Sequence, residues 1–327
     1  MADRTIDEQL VKYLTDVHSI EQQALTQLKR APDIAGDPEI REVFQQHLHE
    51  TERQEERVRA RLDARGASPS KVKDIAGAAG GVGMLLFAKS QPDTPGKLVA
   101  HAYSYEHLEL AAYELLRRVA DRAADAETST VARDIAAEEL RMAGRLESVF
   151  DRAAEASLRE VAPDPSEHGE QLDKYLADAH AIEMQAIQML ERAPKIAGNK
   201  RLSRLYEEHL DETRRHEQRI RGRLEARGGS PSTIKDAAMR LGALNWGGFF
   251  QAQPDTPAKL AGFAFAFEHL EMAGYELLRR VAARAGDTEA ADDAAAILIE
   301  ERAAAERISE QWDIALEGSL SEVGVSS

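Results

Sequence analysis

The sequence predicts an all-α protein made of two tandem four-helix bundles, and three observations carry that reading. Charged residues make up 31% of the chain and aromatics only 5%, a balance that suits long amphipathic helices better than a β-rich fold. Apolar residues recur at three- and four-residue spacing through several long segments, which is the signature of one buried helix face. The chain also repeats itself: Leu10 matches Leu172, Glu21 matches Glu183, His47 matches His209 and Glu106 matches Glu268, always at an offset of 162 residues. In a chain of 327 residues, a repeat this long is a duplicated domain and not a solenoid unit. The expected division is 1–160 and 170–327, joined by a Pro-containing linker over 161–169.

The elements of the first copy can be justified in order. Helix one is expected from Thr5 to Arg30, ending before Ala31-Pro32 because the residue ahead of a proline is pushed out of the helical region. Its stripe is Leu10, Leu14, Val17, Glu21, Ala24 and Leu28, with His18 just before Glu21. Helix two opens at Asp37-Pro38, an N-cap followed by proline at the first helical position, and ends at Gly66. Polar groups occupy the middle of its stripe: Ile40, Val43, Phe44, His47, Glu50, Thr51, Gln54, Val58, Leu62. A long connection follows to Asp93, with a short helix expected after Ser68-Pro69-Ser70.

Helix three starts at Thr94-Pro95, again a cap and then proline. Its stripe is Leu98, Ala102, Tyr105, Ala112, Leu116 and Val119; Glu109 falls within it and Glu106 lies one turn earlier. Helix four is expected over Thr130 to Ala154, with stripe Val131, Ile135, Glu138 or Glu139, Met142, Leu146 and Val149. Two long helices, a long crossover and two more long helices match the one-crossover, ferritin-like form of the four-helix bundle. A plain up-down bundle would not need so long a middle connection.

Every helix of the first copy thus puts acid into its own apolar stripe: Glu21, Glu50, Glu106 with Glu109, and Glu138 or Glu139. The second copy repeats this with Glu183, Glu212, Glu268 with Glu271, and Glu300 or Glu301. A carboxylate in a core must be neutralised, paired or bound to a cation, because burying it alone is costly. Arg117, Arg118 or Arg141 are candidates for the pairing, which would make the acids purely structural. Acids on four helices in both copies instead suggest a metal centre. Oxygen and imidazole donors without sulfur suit iron or manganese. Tyr13, Tyr113, Tyr175 and Tyr275 lie near the acid-bearing faces, either packing the core or hydrogen-bonding a ligand carboxylate.

Composition excludes other classes. There are no cysteines, so disulfides, thiolate metal sites and cysteine nucleophiles are absent. A net charge of −16 opposes a large phosphate-binding surface, so no nucleic-acid partner is expected. No apolar run is long enough to span a membrane, and the start lacks the pattern of a signal peptide, so a cytoplasmic protein is expected. Gly77 to Gly83 is like a phosphate loop only in composition, since it follows no strand and lacks Gly-Lys-Ser/Thr. Trp246, Phe249 and Phe250, in the second crossover, are expected to pack between the copies, with a binding surface as the alternative.

Several motifs in order carry a family resemblance: Asp16, His18, Ile20 and Glu21; His47, Leu48, Glu50 and Thr51; Gln54 and Arg57; Glu106, His107, Glu109 and Tyr113; and the late pair Glu138-Glu139. Together with the Arg30-Ala31-Pro32 break, these resemble the YciE/YciF family of ferritin-like stress-response proteins over almost the whole of each copy. That resemblance implies a rubrerythrin-like bundle with a di-metal carboxylate centre of iron or manganese, two ions per bundle. The ligands it implies are Glu21, Glu50, Glu106, Glu109 and Glu139, with Glu183, Glu212, Glu268, Glu271 and Glu301 in the second copy. The expected function is binding iron, or reacting with O2 or peroxide as a di-iron oxidoreductase, under oxidative or general stress. The alternative is a non-enzymatic stress or scaffold protein with a metal-free polar core.

The chain departs from the family pattern at Ala143 and Ala305, where an Asp is common, and neither copy has a Glu-x-x-His on helix four. The copies also differ from each other: Gln54 in the first is His216 in the second, four residues after Glu212 and on the same face. Imidazole is a good donor where the amide is a poor one, so His216 is a further candidate ligand. If single bundles of this type pair, the fusion supplies both partners as an intramolecular pseudo-dimer, with further homo-oligomerisation open.

Overall fold

A computed structural model describes residues 5–68, 94–229 and 256–325. The expected short helix after Ser70, the segment Gly77 to Gly83, and Trp246, Phe249 and Phe250 lie outside those residues. The described chain is helical, without strands, and divides into two compact units, 1–161 and 162–327.

In the first unit, α1 (Ile6–Leu28) begins at a capping box in which the Thr5 hydroxyl accepts the Glu8 N–H while Glu8 accepts that of Thr5. Helix α2 (Pro38–Ala64) begins at Asp37, whose carboxylate accepts from the amides of Glu39 and Ile40. The turn between them needs a glycine. Gly36 has φ +67°, and a Cβ there would stand 2.6 Å from Pro95 Cγ. Helices α3 (Thr94–Arg122) and α4 (Ala126–Ser148) follow after the crossover.

The fourth helix differs from its expected span. It begins earlier, because Asp125 caps it by accepting the Thr128 N–H. It also stops at Val149 (φ −103°, ψ 4°), and a separate helix α5 (Phe150–Val161) turns away. Phe150, Ala153, Ala154 and Leu158 bury α5 against α3, and the Ser157 hydroxyl accepts the Gly96 N–H at 2.8 Å.

The second unit repeats this plan with α6 (His168–Leu190), α7 (Lys200–Ala226), α8 (Thr256–Arg284), α9 (Thr288–Ser309) and α10 (Trp312–Glu322). Gly198 repeats Gly36 at φ +67°, and Ser319 accepts from Ala258 N at 2.8 Å as Ser157 does from Gly96. In each unit the first long helix packs on the second and third, and the fourth packs on the second and third. Leu10, Leu14, Ile40, Phe44, Leu62, Leu116, Ile135 and Leu146 are fully buried between the helices of the first unit. Each such side chain contributes about 1.5–3 kcal/mol on burial, which is what can hold a polar cluster in the middle of the bundle. No helix among the described residues is long and apolar enough to cross a membrane.

Candidate metal centre

At mid-bundle the apolar layers give way to acids. Glu21 from α1, Glu106 and Glu109 from α3, and Glu139 from α4 are at most 3% exposed, and so is His47 from α2. Ligand atoms of His47, Glu106, Glu109 and Glu139 all lie within 4.8 Å of one another. His47 Nε2 stands 3.0 Å from Glu106 Oε1. Among the described residues neither oxygen of Glu109 has a hydrogen-bond partner, although both are buried. The second unit repeats the group with His209, Glu268, Glu271 and Glu301; His209 Nε2 is 2.9 Å from Glu268, and both Glu271 oxygens are likewise buried without a partner.

The electrostatics follow from burial. Desolvation, reinforced by the charges of Glu21 and Glu106, holds the Glu109 carboxyl well above the usual carboxylate range. The same cause raises Glu139, with Glu109 and Glu106 adding to it. Glu21 is pushed up to about 8 by burial, although the hydrogen bond from Tyr113 and the charge of His47 oppose the rise. His47 goes the other way from an ordinary buried histidine: burial disfavours its charge, but Glu106 and Glu50 outweigh burial and raise it to about 9. Glu271 and His209 are displaced in the same directions, again through burial and the neighbouring acids. Glu109, Glu139 and His47 are thus all shifted towards their protonated forms, the condition in which a divalent ion displaces protons on binding.

Several expected residues take other places. Glu50 lies at the edge of the core, outside the cluster. It accepts from Arg145, with Nη1 at 3.2 Å, and faces His47 Nδ1 at 3.8 Å. The neighbouring His47 ring, with help from Arg145, holds its carboxyl down at about 2 against partial burial. Glu212 repeats this with Arg307 and with His209 Nδ1 at 3.2 Å. The Glu138 or Glu139 alternative resolves by burial: Glu139 faces the core, whereas Glu138 meets Arg57 at 2.9 Å and Gln54 at 3.1 Å nearer the surface. Glu301 and Glu300 divide in the same way.

His18 pairs with Glu55 at 3.0 Å, while Tyr113 donates to Glu21, and Tyr275 to Glu183. The arginines considered as neutralising partners are elsewhere: Arg117 and Arg118 bind Glu114, and Arg141 is exposed. Ala143 and Ala305 are buried and supply no donor. His47 and His209 are the residues missed as central donors. A cavity of about 20 Å³ beside the first cluster is lined by His47, Glu106, Ala24, Phe44, Leu98 and His101, room for about one water molecule.

Three helices that send acids and an imidazole to one buried point, with a further buried acid from the first helix beside them, define a ferritin-like carboxylate bundle. Residues 5–159 and 168–317 each match the family described as Domain of unknown function (DUF892), and the chain belongs to that family, which is part of the ferritin-like superfamily. No solved structure matches the chain.

Proposed function

We propose that each half binds iron or manganese between its histidine and its three buried glutamates, and that the protein works as YciE/YciF-type ferritin-like proteins are taken to work, handling iron, O2 or peroxide under oxidative or general stress. The observation that carries this reading is the pair Glu109 and Glu271. A carboxyl buried with no donor for either oxygen costs about 1–3 kcal/mol for the missing hydrogen bonds alone, and a cation among the neighbouring donors removes that cost. The donor chemistry, imidazole nitrogen and carboxylate oxygen without sulfur, fits both metals.

A bound iron or manganese ion would supply one-electron redox chemistry toward O2 or peroxide. The protein's own part is legible around it. The Glu50 carboxylate stands 3.8 Å from His47 Nδ1, Nε2 faces the cluster as the nitrogen placed to ligate, and Arg145 holds Glu50 in place. Tyr113 orients Glu21 by donating to its Oε1. Apolar layers above and below exclude bulk water, while the small cavity against His47 and Glu106 has room for a molecule the size of water or O2.

The test is metal content. Untagged protein, stripped and then loaded anaerobically with Fe(II) or Mn(II), should retain at least one ion per half after gel filtration. A chain that retains none would leave the polar core purely structural, as in a scaffold protein.

A further inference from the structure

The two halves are not equivalent in the layer next to the four-donor site. We infer that the second half holds an additional metal position, formed by Glu183, His216 and Glu301, that the first half lacks, so that the chain takes three ions and not two or four. This rests on the metal-binding reading above and goes beyond it. Ligand atoms of Glu183, His216 and Glu301 lie within 4.8 Å of one another, and all three residues are buried. His216 Nδ1 is 2.7 Å from Glu301 Oε1 and 4.0 Å from Glu183 Oε1. The outer oxygens Glu183 Oε2 and Glu301 Oε2 are buried without a hydrogen-bond partner among the described residues.

Glu301 belongs to both groups. Its Oε1 faces His216, and its Oε2 lies 4.0 Å from His209 Nε2 of the four-donor site. One carboxylate with its two oxygens turned to two donor groups is placed to bridge two ions. The imidazole is also oriented from behind: His216 Nε2 meets the Glu300 carboxylate at 3.0 Å, which leaves Nδ1 as the inward nitrogen. A carboxylate holding the outer nitrogen of a ligating histidine fixes its tautomer and strengthens it as a donor.

The first half has the frame of this position without its donor. Gln54 stands where His216 does, and its amide nitrogen donates to Glu138 at 3.1 Å, as His216 Nε2 meets Glu300. What Gln54 turns inward is its carbonyl oxygen, which is buried without a partner. A neutral amide oxygen is a much weaker donor than imidazole for Fe(II), so Glu21, Gln54 and Glu139 do not retain an ion under conditions in which Glu183, His216 and Glu301 do.

The experiment loads the full chain anaerobically with Fe(II), removes free iron by gel filtration, and combines elemental analysis with an anomalous-scattering map at the iron edge. Three ions per chain are expected, one in the first half and two in the second, with Glu301 between the latter pair. His216→Gln should lower the count to two, and Gln54→His, placed where Glu138 can hold the new ring, should raise it to four. Equal occupancy of the two halves in the unmodified chain overturns the inference while leaving the four-donor sites standing. So does a His216→Gln chain that is folded by circular dichroism and still holds three ions. No ion anywhere overturns the metal reading as a whole. The map of the unmodified chain decides the matter even if a variant fails to fold.

Discussion

Replacing Glu109 by Gln should make the metal-free protein more stable and the metal-loaded protein poorer in metal. Burial, with the charges of Glu21 and Glu106, holds the folded Glu109 carboxyl well above its unfolded value of 4.5, so its proton is bound more tightly folded than unfolded and stability falls as pH rises past 4.5. Each pH unit above 4.5 over which the folded carboxyl keeps its proton costs about 1.4 kcal/mol. Glutamine has the shape of the neutral carboxyl and does not ionise in either state. The first half of Glu109→Gln should therefore unfold at higher urea concentration than the parent at pH 7. The gain should vanish towards pH 4.5, where the unfolded carboxyl also keeps its proton. The same variant loses a carboxylate from the four donors around His47, so iron retained in the first half should fall while the second half keeps its own. Urea titrations at pH 5 and pH 7, with iron analysis on parallel samples, read both effects. Unchanged stability at both pH values, or full retention of iron, would refute the reasoning.

The other predictions concern the surroundings of the same cluster. The metal-free protein should lose thermal stability steadily from about pH 5 to pH 9. Glu21, raised from 4.5 to about 8, and His47, raised from 6.5 to about 9, both bind protons more tightly folded than unfolded, so their contribution is full at the acid end and is lost as pH rises. A flat or rising profile of melting temperature against pH would contradict this. Tyr113→Phe removes the donor to a buried Glu21 oxygen and should cost about 1–3 kcal/mol in urea unfolding, with Tyr275→Phe costing the same in the second half. Glu50→Gln should weaken iron binding in the first half by about 10–100-fold without abolishing it, as read by chelator competition, because Glu50 orients His47 and does not join the cluster. Complete loss of iron from that half would make Glu50 a ligand in its own right.

Much of the fold was legible because local and global signals agree: the caps at Asp37 and the prolines at 38 and 95 mark helix starts that the structure also has. The fourth helix differs from its sequence expectation at both ends for different reasons. Its start follows the cap Asp125, five residues ahead of Thr130. Its break at Val149 has no proline or glycine to announce it, and comes from the tertiary burial of Phe150 and the contact of Ser157 with Gly96. The candidate site shows the same division. Strict alternation of four- and three-residue steps along α2 runs through Ile40, Phe44, His47, Thr51, Gln54 and Val58, all buried, and passes beside Glu50. Along α4 the same steps run through Ala132, Ile135, Glu139, Met142 and Leu146 and pass beside Glu138. A looser stripe admitted both neighbours, and the resemblance to a family rich in glutamates drew attention to Glu50 where the spacing favours His47. The pairing of Arg145 with Glu50 is a contact between residues 95 apart, which no local pattern encodes.

The most direct measurement is an anomalous-scattering map of crystals of the full chain loaded with Fe(II) without oxygen. The account predicts a peak in each half within bonding distance of a histidine nitrogen, His47 Nε2 or His209 Nε2, and of Glu109 or Glu271. Iron peaks confined to surface carboxylates, with Glu109 and Glu271 still free of any ion, would contradict it.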